Sequence, residues 1–340
     1  MSPLFIHRIS REPPVWDEST PEVRSPFSSP GYLSLVNQAY RAQTAWVTTY
    51  QGGVPIFTSP YTLARRFGFS VWGSPFQGSF SPYQDGFLLS GEADPATRWA
   101  LRKQEVVFLS QIKGSLEVRN IPRPNYDWPA QPEEVTVPGA KPIQTFIKTI
   151  PANREKAWSE FGSKNRNMVR KAEKEGLVIE TRRGDPCLLE ESYRILAEAF
   201  ARRQTKPSHP RSFFVRLIQS MEEWGQGKCF YAFAGPTLLA MGAFFFDAGT
   251  MYYVSGGHRH LAASAGASHG IQWAAIQAAV ERGCRWYDLG GAGRESIDSF
   301  KKNLGGIPFQ YPALGWTRPW FAKFKRWLLP MYLRWRRGGQ

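Results

Sequence analysis

A chain of 340 residues is longer than one ordinary hydrophobic core needs and suits two lobes of about 150 residues each. Apolar residues make up 42% and aromatic residues 14%, so large rings can build a packed interior and a disordered chain is excluded. Against 28 acidic side chains stand 43 Lys and Arg, a net charge of +15 that favours anionic partners (nucleic acid, nucleotide sugars, coenzyme A phosphates, an acidic membrane face) or serves solubility alone.

Cys187, Cys229 and Cys284 are odd in number and far apart, with no C-x-x-C. That speaks against a disulfide framework or a zinc site, and fits a reducing compartment. The opening MSPLFIHRISREPP lacks the apolar centre of a signal peptide, and no uninterrupted apolar run is long enough for a membrane span. The expected address is the cytoplasm.

In chain order, residues 1–30 are rich in Pro, Ser and charge and are expected to form a loosely held arm. Residues 31–142 read as a first mixed lobe. A helix is predicted over Tyr32–Arg41, strands at AWVTTY, VPIFTS, FGFSVWG and GFLLS, a helix over Arg98–Leu109 and a strand near Ser115–Arg119. The proline-dense IPRPNYDWPAQPEEVTVPGAKP reads as a connection, followed by an extended QTFIKTI.

Residues 143–316 form the second predicted lobe. Asn153 caps a short helix, and Ser163 is expected to cap the next, which runs from Lys164 to Glu175 and stops at Gly176. LVIETRR is a strand. Leu189, Tyr193, Leu196 and Phe200 line one helix face; Phe214, Leu217, Met221 and Trp224 line a second. KCFYAFA and TLLAMGAFFFD form a hairpin about Gly235–Pro236, and TMYYVSGG is the next strand. A helix over Ser264–Arg282, the strand CRWYDLGG, a helix near Ser296–Leu304 and a strand near Phe309–Leu314 complete the lobe.

Three segments carry residues suited to chemistry. On SKNRNMVRKAEKEG, Arg166, Arg170 and Lys174 repeat every fourth position and make one cationic stripe, with Lys164 and Lys171 beside it. Guanidinium forks suit phosphate or carboxylate oxygens, although a solvated helix face would read the same. In MYYVSGGHRH…ASAGASHG a strand leads through small residues to a helix N-terminus, whose free N–H groups can meet an anion. Ser264, Gly266 and Ser268 are the cofactor-binding candidates there, and an ordinary Ala-rich packed helix is the alternative. His258, Arg259, His260 and His269 lie along the same stretch as substrate contacts or surface residues, without metal-ligand spacing. In WYDLGGAGRESIDSFKKNLGG, Asp288 ends a strand and a short helix presents Phe300, Lys301 and Lys302. A fixed lysine there can stabilise an oxyanion.

The order strand, helix, helix, three strands, helix, strand, helix, strand is that of a GNAT acyltransferase core. Taken together, SKNRNMVRKAEKEGLVIE, MYYVSGG, AAIQAAVERG, CRWYDLGG and DSFKKNLGG, in that order, resemble the C-terminal lobe of FemAB-type transferases and their BioF2-like acetyltransferase relatives. The likeness covers about residues 144–315; the first lobe matches in layout, through pieces such as FGFSVWGSPFQGSFSPYQDGFLL. The resemblance implies an α+β fold of two GNAT-like lobes around a central groove. It implies acyl or aminoacyl transfer to a primary amine of an anionic envelope, peptidoglycan or polysaccharide precursor. No permanent cofactor or metal is implied; the donor co-substrate is aminoacyl-tRNA or acyl-CoA. Coenzyme A-dependent GNAT enzymes carry Q/R-x-x-G-x-G/A in the pyrophosphate loop, and here Gly266 stands alone among Ala and Ser. Residue by residue, the resemblance makes Phe300–Lys301 the family's catalytic pair, Asp288 its strand-end aspartate, Arg166 and Arg170 its phosphate-touching helix, and Tyr252 and Tyr253 the lining of its acceptor channel. A coenzyme A-dependent amino-sugar acetyltransferase and a non-catalytic binding protein remain the rival readings.

Residues 317–340 form a basic-aromatic tail, with Trp, Phe and Leu among Lys323, Lys325, Arg326, Arg334, Arg336 and Arg337. Such a composition suits an anionic membrane surface at the inner face of the membrane, contact with tRNA, or packing on the protein itself.

Overall fold

The computed structural model describes residues 5–14, 25–89, 94–124, 141–182, 185–202, 204–207, 209–247, 249–261, 266–293 and 295–327. The first half contains β1 (Phe5–Ser10), a 3-10 turn at Pro26–Ser28, α1 (Pro30–Tyr40), β2 (Gln43–Gln51), β3 (Val54–Arg66), β4 (Phe69–Ser74), β5 (Phe87–Leu88), α2 (Pro95–Gln111) and β6 (Ser115–Asn120). The second half contains β7 (Lys141–Thr149), α3 (Arg154–Ser159), α4 (Ser163–Lys174), β8 (Leu177–Glu180), α5 (Pro186–Ala201) and α6 (Arg211–Glu223). It continues with β9 (Gly227–Ala234), β10 (Thr237–Phe246), β11 (Thr250–His258), α7 (Ala267–Glu281), β12 (Trp286–Gly291), α8 (Glu295–Asn303) and β13 (Ile307–Thr317). A last helix, α9, spans 319–327.

The strands form one mixed sheet in the order β1-β2-β3-β4-β6-β13-β7-β12-β11-β10-β9-β8, with β5 on β3. Two GNAT-like lobes meet at β13. Its first half, Ile307 to Ala313, runs antiparallel to β7, and Leu314 to Thr317 run antiparallel to β6 of the first lobe. The strand expected to end the second lobe is therefore common to both.

Two corrections concern the N-terminal arm and one cap. Phe5–Ser10, expected in a loose arm, pairs along its whole length with β2 as an edge strand, with Phe5 and His7 half-buried and the other residues exposed. The cap of α4 is Gly162, at φ 74°, with Ser163 already the first helical residue and no side-chain cap. The start of the tail is also built in. Arg318 donates through Nε to the Ser115 carbonyl at 2.8 Å, and Lys325 pairs with Glu117 at 2.8 Å. Arg334, Arg336 and Arg337 lie outside the described residues, as does most of the proline-dense connection.

One of the core clusters is shared between the lobes. On one face of the second lobe's part of the sheet, α3, α4 and α7 cover Phe146, Phe244, Tyr287 and Leu289. On the other, Phe27, Tyr32 and Tyr83 of the first lobe join Phe213, Phe214 and Leu217 of α6 and Tyr252 and Tyr311 of the sheet. Phe27 meets Tyr252 edge-on at 5.1 Å, Tyr83 meets Tyr311 at 5.7 Å, and Tyr40 meets Phe213 at 5.7 Å. Aromatic pairs of this kind add on the order of 1 kcal/mol each beyond the burial of their area, so the lobes hold each other in place. Cys229 and Cys284 are buried in these layers as small apolar side chains.

Candidate active site

Strands β11 and β12 run parallel and are paired from Thr250↔Trp286 to Tyr252↔Asp288. Beyond that register β12 breaks at Gly290, whose φ of 82° only glycine adopts readily, and the strand resumes its pairing with β7 at Gly291↔Thr145. Where the two strands part, a cavity of about 290 Å³ opens between the lobes. The second lobe lines it with Tyr252, Tyr253, Val254, Asp288, Gly290 and Gly291, and the first lobe with Gly78, Phe80, Ser81 and Pro82.

Asp288 is 1% exposed. Its Oδ1 accepts from Thr145 Oγ1 at 2.6 Å and from the Gly290 N–H at 2.7 Å. Desolvation pushes its carboxyl up to about 7, against the pull of the Gly290 N–H and of Lys301. Lys301, on α8, is 6% exposed, and its Nζ donates to the carbonyls of Gly290 at 2.9 Å and Gly291 at 2.6 Å. Burial draws its ammonium down to about 8, opposed by Asp288 and Asp298. Acid and base thus titrate next to neutrality across one turn of backbone, with the lysine one carbonyl layer behind the cavity wall.

The two tyrosines of β11 point to opposite faces, as alternation on a strand requires. Tyr252 is buried towards the lobe interface, and its hydroxyl donates to Asp247 Oδ2 at 2.5 Å, while Asp247 also pairs with Arg123 at 3.0 Å. Tyr253 lies on Phe244 at 5.3 Å and folds back along its own strand, over Gly256, where a side-chain carbon would collide with the hydroxyl. Both line the cavity wall.

The remaining predicted residues form a second group around the N-terminus of α7. Gly266 caps the helix at φ 84°, and any side chain there would strike the carbonyl oxygen of Met168 on α4. Ser268 Oγ lies 3.4 Å from His258 Nδ1. His269 meets Phe300 edge-on at 5.5 Å, and its imidazole is held low by burial and by the nearby Lys164 and His258. Helix α8 therefore links the groups, Phe300 touching one and Lys301 the other. Ser264 lies outside the described residues. Arg259 is engaged elsewhere, in an ion pair with Glu191 of α5. Arg166 donates to the Ser159 carbonyl at 2.6 Å and closes the end of α3, and Arg170 lies over the Trp158 ring at 5.6 Å. Two of the three residues of the cationic stripe thus face a neighbouring helix.

Sequence reasoning missed the first-lobe wall. The loop after β4 is fixed by Tyr40, whose hydroxyl donates to the Gly78 carbonyl at 2.5 Å, and by Tyr32, which donates to Ser79. Phe80 adopts φ 64° and packs on His209 at 3.9 Å. Burial pushes that imidazole down to about 4, so it meets the ring as a neutral aromatic. The available signal was the Gly and Pro punctuation of SPFQGSFSPYQDG, which marks a loop without saying which wall it forms.

Residues 161–302 match the family model described as an acetyltransferase (GNAT) domain. With the parted strands and the inter-lobe cavity, that match places an acetyltransferase (GNAT) domain in the second lobe. Among solved structures it is similar to FemX at 12% identity and a TM-score of 0.64, over 89% of this chain and 94% of FemX. It is also similar to a conserved protein of unknown function from Bacteroides thetaiotaomicron, at 10% identity and a TM-score of 0.55, over 88% of this chain and 93% of that one. No curated protein matches the chain in sequence. Two lobes joined in this order share the fold of FemX.

Proposed function

We propose that the protein transfers an aminoacyl group from aminoacyl-tRNA to a primary amine of an anionic envelope, peptidoglycan or polysaccharide precursor bound in the inter-lobe cavity. The observation that carries this reading is the buried Asp288, poised near neutrality at the cavity wall with Lys301 behind it. The amine nitrogen attacks the ester carbonyl carbon and gives a proton to the Asp288 carboxylate. The positive charge of Lys301 stabilises the oxyanion of the tetrahedral intermediate. The C–O bond to the ribose then breaks, and Asp288 returns the proton to the leaving oxygen, so that ester and amine become amide and alcohol. The walls contributed by both lobes hold the reactants in line.

Two features favour tRNA over coenzyme A as donor. The glycine pattern of a pyrophosphate loop is incomplete, and the carbonyl of Met168 crowds the Gly266 cap beside the N–H groups that a diphosphate would need. The candidate cofactor positions Ser264, Gly266 and Ser268 then belong to the donor end of the site, and Lys164, Arg170 and His258 to its anion contacts. In this reading the protein works at the inner face of the membrane, held there by its basic-aromatic tail.

The test is native mass spectrometry of the purified protein for co-purifying RNA, coenzyme A or lipid-linked sugar, followed by a label-transfer assay. Unfractionated tRNA charged with radiolabelled amino acids is expected to label a muropeptide pool, and ribonuclease treatment of the tRNA to abolish labelling. Labelling from acetyl-CoA alone would establish the amino-sugar acetyltransferase instead, and no turnover with either donor would leave a binding protein.

A further inference from the structure

The turn between β3 and β4 is built against its own conformational preference. Register Arg66↔Phe69 leaves a two-residue connection, Phe67–Gly68, with φ of 52° and 77°. Hairpin turns with positive φ at both positions favour Asn or Gly first, because a bulky side chain there is strained. Here the first position is a phenylalanine that is 97% exposed. Neither folding nor packing accounts for that ring.

Helix α9 lies beside this turn, and its apolar face is turned outward. Trp320, Phe324 and Trp327, spaced i, i+4, i+7, are 50%, 41% and 64% exposed, whereas Lys325 faces inward to Glu117. Trp320 meets Phe69 at 5.8 Å, which joins the helix to the hairpin. Around the rings stand the exposed Arg65, Arg66, Lys113, Lys323 and Arg326. Lys113 is brought alongside by Gly114, which packs on the Gly68 carbonyl. Residues 65–69, 112–114 and 318–327 contain no acidic side chain.

We propose that the β3–β4 turn and α9 form one composite docking surface for an anionic lipid bilayer, with Phe67 as its protruding anchor. Charge complementarity selects the occupant: exposed rings gain by entering the boundary between headgroups and acyl chains, and a rim of exposed cations gains from anionic headgroups. This deepens the membrane part of the proposed function, and adds to the tail a second element from the other end of the lobe's sequence. It does not depend on the transfer chemistry.

The experiment is co-sedimentation of the full chain with vesicles of phosphatidylcholine alone, or of phosphatidylcholine and phosphatidylglycerol in equal parts. Wild type is expected to pellet with the anionic vesicles and to be released by added salt. Phe67→Asn suits the positive φ and removes no packing, so it keeps the melting temperature; it should weaken binding about tenfold. The pair Trp320→Ser and Trp327→Ser should weaken it further. If Phe67→Asn binds as wild type while the helix variant does not, the composite surface is wrong and the tail reading stands. If wild type ignores both vesicles, or pellets equally with each, both readings fall. Capture of tRNA by the same residues without vesicle binding would assign the surface to nucleic acid.

Discussion

Replacing Lys301 with methionine separates chemistry from stability, and the structure gives the size of both effects. Burial lowers the ammonium from 10.5 to about 8, so keeping it charged in the folded state costs about 3 kcal/mol. Methionine of similar length removes that cost. It also removes the donors to the Gly290 and Gly291 carbonyls, each of which costs about 1–3 kcal/mol if left without a partner in the interior. The two terms nearly cancel, and a net change of about 1 kcal/mol moves the melting temperature of a chain this large by only a few degrees. Turnover has no such compensation. In the proposed mechanism the charge of Lys301 acts on the oxyanion from behind the Gly290–Gly291 backbone, and loss of such stabilisation lowers kcat on the order of 10²–10³. Thermal denaturation and label transfer from charged tRNA, measured on one preparation, check both figures. A Lys301→Met variant that melts like wild type and turns over within threefold of it removes the lysine from the mechanism.

The pH profile follows from the same pair. In the proposed mechanism Asp288 is ionised to accept the amine proton, so kcat/KM should rise with pH up to about 7; Lys301 is protonated, so it should fall again above about 8. Initial rates across that range should give a narrow bell, and Asp288→Asn should lose the acid limb together with most of the activity. The arginine stripe should divide. Arg166→Ala should lower the melting temperature by a few degrees, because it frees the carbonyl end of α3, with a change of about 1 kcal/mol. Arg170→Ala should cost less stability than Arg166→Ala, losing one cation–π contact with Trp158, and weaken binding of tRNA in a filter assay, more at low salt than at high salt. Equal tRNA affinity for Arg170→Ala and wild type at every salt concentration would make Arg170 a solvated side chain.

The second lobe was legible in the sequence because its signals are local. Asn153 caps α3 through a 2.9 Å bond to the Lys156 N–H, and the Leu189, Leu196 stripe of α5 is buried as its period requires. The placement of Asp288 and Lys301 at one strand end also followed from order along the chain. What could not be read was anything decided between distant segments. Strand periodicity shows two faces but not the neighbour, so nothing in IPFQYPALGWT says that β13 changes partners halfway. For the same reason Arg166 and Arg259 looked like free cations. Ser159 and Glu191, which engage them, lie on neighbouring elements and give no signal of their own.

Strand β13 has a mechanical consequence. A groove between lobes is ordinarily widened by rotating one lobe about a flexible linker. Here, beside the covalent connection between β6 and β7, a strand bridges the lobes, clamped from Ile307 to Ala313 by β7 and from Leu314 to Thr317 by β6. Swinging the lobes apart would tear a ladder of backbone hydrogen bonds and expose the shared aromatic interior, so the hinge is effectively welded. Entry of a large acceptor must then be accommodated at the rim, in the segment from Gly78 to Pro82, with the sheet behind it acting as a rigid jig for the reacting atoms.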